Sequence, residues 1–276
     1  MTASIRNASG PNDPAFDDFR LRERQLNTRL HRRGERSDAK FIAEGDLVVM
    51  RAIQVGHVPE RIICDPSILP ALEDFVTGLP DTNAVEIVVA DEATRKAATG
   101  LGVALNIVGL FPKPVGVDPE VLVERNERVL VLAQVDNPTN VGAIVRSAAA
   151  FGFTGLVLDA ESADPFARRA LRVAMGTTFQ LDIARTNDLE SLFESLSTHG
   201  FASFAMTPDL SATPLDEVKA PRRVALLLGS ERDGLPAHVM GRATHKVRIP
   251  MADGVDSLNV AAAAAVACYG LTSRIG

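Results

Sequence analysis

Three polar segments of this 276-residue chain have the residue types and spacing to build a ligand site. The first is Asp136-Asn137-Pro138-Thr139-Asn140-Val141-Gly142-Ala143-Ile144-Val145-Arg146, which follows an apolar run and opens a helical pattern. In open α/β sheets, ligands bind where strand carboxyl ends feed helix N-termini. Asn140 reads as the N-cap of the helix, and Arg146 is the only charge between Asn140 and Gly152. Helical spacing puts Val141, Ile144, Val145, Ala148 and Phe151 on one face, and Gly142 with Arg146 on another. The second segment, Leu226 to Pro236, runs a hydrophobic strand into a loop holding Gly229, Ser230, Glu231 and Gly234, where backbone groups can be approached closely. The third, Ile249 to Asn259, ends a strand at Pro250 and enters an Ala-rich helix through a polar loop. Ser257 reads as the N-cap of that helix. Asn259 then falls in its first turn, an unfavoured place for Asn that requires a hydrogen-bonding partner. Taken singly, each segment is equally a capped helix, an ordinary strand-to-turn or a polar helix start.

The elements that must hold these segments follow from hydrophobic periodicity. Strands are predicted at Arg128 to Val135, Thr154 to Leu158, near Ile183, Ala202 to Met206, Val224 to Leu228 and Lys246 to Ile249. Helices are predicted at Val141 to Phe151, Asp164 to Met175, Leu189 to Thr198 and Ser257 to Ser273. Repeated βα units with unbroken apolar strands imply a parallel sheet covered on both faces. Before them, a smaller α/β region alternates helices (Ala43 to Val55, Leu69 to Thr77, Asp91 to Thr99) with strands (Arg61 to Cys64, Ala84 to Val89, Ala104 to Phe111). Phe16 to His31 has a helical pattern, and residues 1–18 read as a flexible N-terminus. Three prolines between Phe111 and Pro119 mark a connector. The organisation expected is therefore a flexible stretch at 1–18, a small α/β domain at 19–111, a linker at 112–120 and a larger α/β domain at 121–276.

Taken together and in order, the three segments resemble the signatures of the SpoU/TrmH branch of the SPOUT superfamily, the RNA ribose 2′-O-methyltransferases. The likeness runs from Val129 to the C-terminus. It implies transfer of a methyl group from S-adenosylmethionine to a ribose 2′-hydroxyl of structured RNA, ribosomal or transfer, with no metal. It implies a C-terminal SPOUT domain threaded into a deep trefoil knot, a departure from the rule that chains do not thread loops. The family pattern falls on Asn140, Arg146, Glu231, Ser257 and Asn259 for catalysis, and on Gly229, Ile249 and Leu258 for the methyl donor, with Met251 beside it. Arg146 is the residue expected to polarise or deprotonate the 2′-hydroxyl. A guanidinium is normally protonated, so a literal base role is chemically awkward. The resemblance also implies a homodimer through the knotted domain. More loosely, Phe41-Ile42-Ala43-Glu44-Gly45 and the strand after Glu60-Arg61 are similar to a small substrate-binding domain related to a ribosomal-protein fold.

Composition bounds these readings. Net charge is −6, so the chain as a whole does not announce nucleic-acid binding. Residues 20–40 nevertheless hold eight basic residues against three acidic ones. Within them Arg29, Arg32, Arg33 and Arg36 are the candidate RNA-phosphate contacts, although such a run is also simply a solvated face. Two distant cysteines in apolar contexts imply neither a disulfide framework nor a zinc site, and fit a reducing cytoplasm. The longest apolar stretch, Val260 to Leu271, is too short to span a bilayer. A dinucleotide oxidoreductase is disfavoured because no G-x-G-x-x-G follows a strand, and a P-loop enzyme because the chain has no Gly-Lys pair. A noncatalytic RNA-binding protein that keeps the fold is the alternative.

Overall fold

A computed structural model describes residues 3–26, 39–79, 85–100 and 102–272. It contains two compact units. The first holds the described residues up to 115 together with residues 166–179; the second holds 116–165 and those from 180 onward. Residues 166–179, within the range expected for the larger domain, therefore group with the first unit.

The first unit is built on a five-stranded sheet of β1 (Ser4–Asn7), β2 (Lys40–Glu44), β3 (Arg61–Cys64), β4 (Glu86–Val89) and β5 (Ile107–Pro112), in the order β1-β4-β3-β5-β2. The strands β1, β4 and β3 run parallel, whereas β5 is antiparallel to both β3 and β2. Its helices are α1 (Glu23–Leu26), α2 (Asp46–Gln54), α3 (Leu69–Thr77), α4 (Glu92–Thr99) and, from later in the chain, α7 (Arg168–Ala174). Leu69–Thr77 matches the sequence expectation. The expected helix from Ala43 does not: Lys40–Glu44 pairs with β5, and the helix begins after Gly45, whose φ of 89° turns the chain.

Residues 3–18 are not the flexible stretch expected. Ser4–Asn7 pairs with β4, and Phe16 and Phe19 are fully buried with Ile42, Ile63, Val88 and Leu110. Asp13 fastens this segment. It is 1% exposed, accepts two hydrogen bonds from the Arg6 guanidinium at 2.7 and 2.9 Å, and caps the turn at the Ala15 N–H. The charged partner holds its carboxyl far below the usual carboxylate range. Of the helical pattern from Phe16, the described part forms a short 3-10 turn (Asp18–Arg20) and α1.

The second unit is a seven-stranded sheet in which every pairing is parallel. Its strands are β6 (Arg128–Leu132), β7 (Gly155–Leu158), β8 (Asp182–Arg185), β9 (Ala202–Met206), β10 (Thr213–Pro214), β11 (Val224–Leu228) and β12 (His245–Arg248). The order is β10-β12-β9-β11-β6-β7-β8. Helices α5 (Pro119–Arg125), α6 (Pro138–Ala150), α8 (Leu189–Thr198), α9 (Ala237–Arg242) and α10 (Val260–Thr272) complete it. The central position of β6 and β11 explains their composition. Leu130, Val131, Leu132 and all of β11 are buried, as strands covered on both faces require. Val129, Val131, Val157, Ala184, Leu192, Leu196, Leu227 and Val239 join one apolar cluster. On α10, Val260, Ala264, Ala267, Cys268 and Leu271 recur at helical spacing as its buried stripe. Among the described residues, no helix is long and apolar enough to cross a membrane.

Candidate active site

The register of the sheet brings the three polar segments to one end. Leu228 of β11 lies opposite Leu132 of β6, and the Ala133 N–H donates to the Leu228 carbonyl at 3.0 Å. The chain leaving β6 toward α6 and the loop leaving β11 therefore emerge side by side. On the other flank, β9 pairs with both β11 and β12, so the segments after Met206 and after Arg248 open at the same carboxyl end. This is where an open parallel sheet takes its ligand.

Local chemistry sets each segment. The N-cap of α6 is Asn137, not Asn140: the Asn137 Oδ1 accepts from the Thr139 N–H at 2.9 Å, and Pro138 occupies the first helical position. Asn140 is thus inside the first turn, with its residue only 6% exposed. The loop after β11 is a tight turn in which Ser230 and Gly234 exchange backbone hydrogen bonds at 3.0 and 3.1 Å. The Ser230 hydroxyl accepts from the Asp233 N–H, and Gly234 takes a φ of 69°. Only glycine fits at position 229, because a Cβ there would lie 2.1–2.2 Å from backbone atoms of Gly234 and Leu235.

Asn259, rather than Ser257, caps α10. Its Oδ1 accepts from the Ala261 and Ala262 N–H groups at 2.9 and 3.4 Å. Its amide nitrogen donates to Asn140 Oδ1 at 3.3 Å and to Glu231 Oε1 at 2.5 Å. One side chain therefore ties together three elements that are distant in sequence. This answers the question the sequence posed about how that Asn is satisfied.

Beside this cluster lies a cleft of about 550 Å3. All four residues expected to contact a methyl donor, Gly229, Ile249, Met251 and Leu258, line it, and so do Glu231 and Ser257. Of the five expected catalytic residues, the structure joins Asn140, Glu231 and Asn259 by hydrogen bonds and puts Ser257 in the cleft wall. Arg146 stands apart. Six residues beyond Asn140 on α6, it is about 9 Å further along the helix axis. It is exposed and makes no hydrogen bond or ion pair among the described residues. Arg29, Arg32, Arg33 and Arg36 lie outside the described residues.

Sequence reading missed Met206, Thr207, Pro208, Met240 and Asp256, which also line the cleft. A strand ending directly in Thr-Pro was the available signal for the first three. Nothing local marks Met240, whereas Asp256 lies within the third polar segment but was not singled out there. Among the described residues, no group of three or more His, Cys, Asp or Glu is arranged to hold a metal.

A family model, the SpoU rRNA Methylase family, matches residues 127–269. Over 272 residues the chain is 35% identical to an uncharacterized tRNA/rRNA methyltransferase of Mycobacterium tuberculosis, covering 96% of this chain and 91% of that protein. Over 245 residues it is 28% identical to the 23S rRNA (guanosine(2553)-2′-O)-methyltransferase RlmP of Bacillus subtilis, with 88% and 93% coverage. Among solved structures, the fold is similar to that of an AdoMet-bound rRNA methyltransferase from Sinorhizobium meliloti, with a TM-score of 0.80, 24% identity and 99% of each chain covered. The matched family region spans all three polar segments.

Proposed function

The chain belongs to the SpoU rRNA methylase family, and on that premise we propose that it transfers a methyl group from S-adenosylmethionine to a ribose 2′-hydroxyl of structured RNA. The observation that carries this reading is the adjacency of the cleft and the Asn140–Asn259–Glu231 cluster at one end of the parallel sheet. The residues present fit the methyl donor. The cleft volume is in the range of about 300–1,000 Å3 typical of small-molecule sites. Leu228, Leu235, Met240, Ile249 and Leu258 supply apolar wall for a purine, and Glu231, Asp233 and Asp256 outnumber the single cation Arg232. That balance suits a ligand bearing a sulfonium and an ammonium group.

When bound, the donor supplies an activated methyl group. The chain's own residues then have to exclude water, orient the acceptor and manage its proton. The apolar walls serve the first purpose. Asn259 holds the α6, β11 and α10 segments in fixed relation, and Glu231 is the acceptor that keeps its amide oriented. Ser257 is available to orient the substrate at the cleft rim. Arg146 presents a guanidinium without a partner among the described residues, which as a permanent donor polarises the 2′-hydroxyl directly or through a neighbouring phosphate. It serves as an electrostatic group rather than a base.

This reading includes a trefoil knot in the C-terminal segments and a ribosomal-protein-like fold in the first unit. The insertion of β11 between β9 and β6 supports the former. It also includes a homodimer through the second unit. Val266 and Tyr269 on the outer face of α10 are 42% and 60% exposed, and the Tyr269 ring packs edge-on to Phe151. This leaves an apolar patch suited to a second copy. Incubating the full chain with methyl-labelled S-adenosylmethionine and unmodified total RNA tests the activity. Label at a ribose 2′ oxygen is expected. Binding of S-adenosylhomocysteine without any label on RNA would leave a noncatalytic RNA-binding protein instead.

A further inference from the structure

The first unit gathers cations from two parts of the chain about 145 residues apart. Helix α7 carries Arg168, Arg169 and Arg172, and two of them have structural roles. Arg168 donates to the Phe19 and Leu21 carbonyls at 2.7 and 3.1 Å. It also lies 3.6 Å from the fully buried Glu44 carboxylate, which Arg172 contacts directly. The Glu23 carboxylate of α1 accepts from the Arg168 N–H at 2.9 Å. These interactions bring the start of α1 against the start of α7, where Arg22 and Arg24 flank Glu23 in sequence and Arg169 follows Arg168. All three are exposed, and none of their side chains has a hydrogen bond or ion pair among the described residues. Nearby Arg20, by contrast, lies 3.6 Å from Asp17.

We infer that Arg169, together with Arg22 and Arg24, forms a phosphate-binding surface for RNA on the first unit. The two α7 arginines engaged with Glu44 and the backbone fix its geometry, and the three free guanidiniums bind the phosphates. Guanidiniums present several donors in a planar fork that matches phosphate. Three unpaired ones on a fixed scaffold read backbone shape rather than base sequence. The surface recruits α7 from the opposite half of the chain. The inference rests on the reading of this protein as an RNA methyltransferase. It concerns RNA affinity alone, so it can fail while methyl transfer stands.

The test is equilibrium binding of the full chain to in vitro transcribed, unmodified 23S rRNA, measured from 50 to 200 mM salt. Removing one arginine–phosphate pair lowers the slope of log affinity against log salt by about 0.7–0.9, which is about threefold in affinity across that range. Arg169→Gln is expected to reduce the slope by about one, and the Arg22→Gln/Arg24→Gln/Arg169→Gln variant by about two to three. Arg169→Lys is expected to retain most of the affinity, since a phosphate partner needs charge more than a fork. S-adenosylhomocysteine affinity and the thermal midpoint should be unchanged in all three. An unchanged salt slope in the triple variant would overturn the inference. Reduced retention on a heparin column with unaltered RNA affinity would also overturn it, because the surface would then serve another polyanion. A wild-type protein that binds RNA with this salt dependence but never methylates it would refute the proposed activity and leave the surface intact.

Discussion

Asn259 performs two separable tasks, and the difference between two substitutions exposes them. Its Oδ1 caps α10, while its amide nitrogen joins Asn140 to Glu231. Asn259→Ala removes both. Loss of an N-cap costs about 0.5–2 kcal/mol, typically about 1. The Asn140 carbonyl, in a residue only 6% exposed, also loses its donor, at about 1 kcal/mol or somewhat more. The sum, about 2 kcal/mol, corresponds to a fall in thermal midpoint of about 4–8 °C for a cooperative unit of this size. Asn259→Asp keeps the capping oxygen and gains a favourable charge at the helix N-terminus, worth about 0.3–1 kcal/mol. It also sets a carboxylate against Glu231 and removes the bridge. These effects oppose each other, so the Asp variant should melt within about 2–4 °C of the wild type by the same conversion. Both variants should lose methyl transfer by about 100-fold, the scale of a small misplacement of catalytic groups. Differential scanning calorimetry and a single-turnover methylation assay read the two effects independently. An Asp variant that transfers methyl groups at the wild-type rate would refute the bridging role. An Ala variant that melts with the wild type would refute the cap.

Other substitutions probe the site and the scaffold separately. Arg146→Ala should lower single-turnover methylation by about 10²–10⁴-fold, the range for a group that assists proton transfer. Its thermal midpoint should not move, and a wild-type rate would remove Arg146 from the mechanism. Gly229→Ala drives a Cβ into backbone at 2.1–2.2 Å. Overpacking of this kind costs about 1–3 kcal/mol, so calorimetric titration should show S-adenosylhomocysteine binding weakened or abolished; undiminished affinity would show that the turn can relax. His57 packs against the Phe41 and Phe179 rings at 5.8 and 5.2 Å, and burial lowers its pKa from 6.5. The folded protein therefore resists protonation that the unfolded chain accepts. The stabilisation from neutral His57 is present above about pH 6.5 and is lost as pH falls below it. Between pH 7.5 and 5.5 the wild type should lose more thermal stability than His57→Gln; equal losses would contradict the burial effect.

Much of the architecture was legible in residue order because it depends on local pattern. Leu69–Thr77, Leu189–Thr198, Ala202–Met206 and Val224–Leu228 appear where periodicity and unbroken apolar runs put them. The order of the three polar segments was enough to mark the family. Helix ends were less legible. Asn140 and Ser257 are acceptable caps by type, yet Asn137 and Asn259 hold those positions, since Pro138 and the loop before Val260 set the helix starts. The parallel direction of the larger sheet was legible, but which strands pair was not. Ser4–Asn7 becomes a strand only because β4 offers a free edge, and Lys40–Glu44 only because β5 lies beside it. Residues 166–179 attach to the first unit through Phe166 and Phe179 packed on Phe41 and through Glu44, a buried carboxylate that an arginine 128 residues away reaches. Residue types and their order were thus sufficient for the class of chemistry. The hydrogen bonds from Asn259 to Asn140 and Glu231 are made across 119 and 28 residues, and they exist only because parallel pairing aligns the strand ends that carry them.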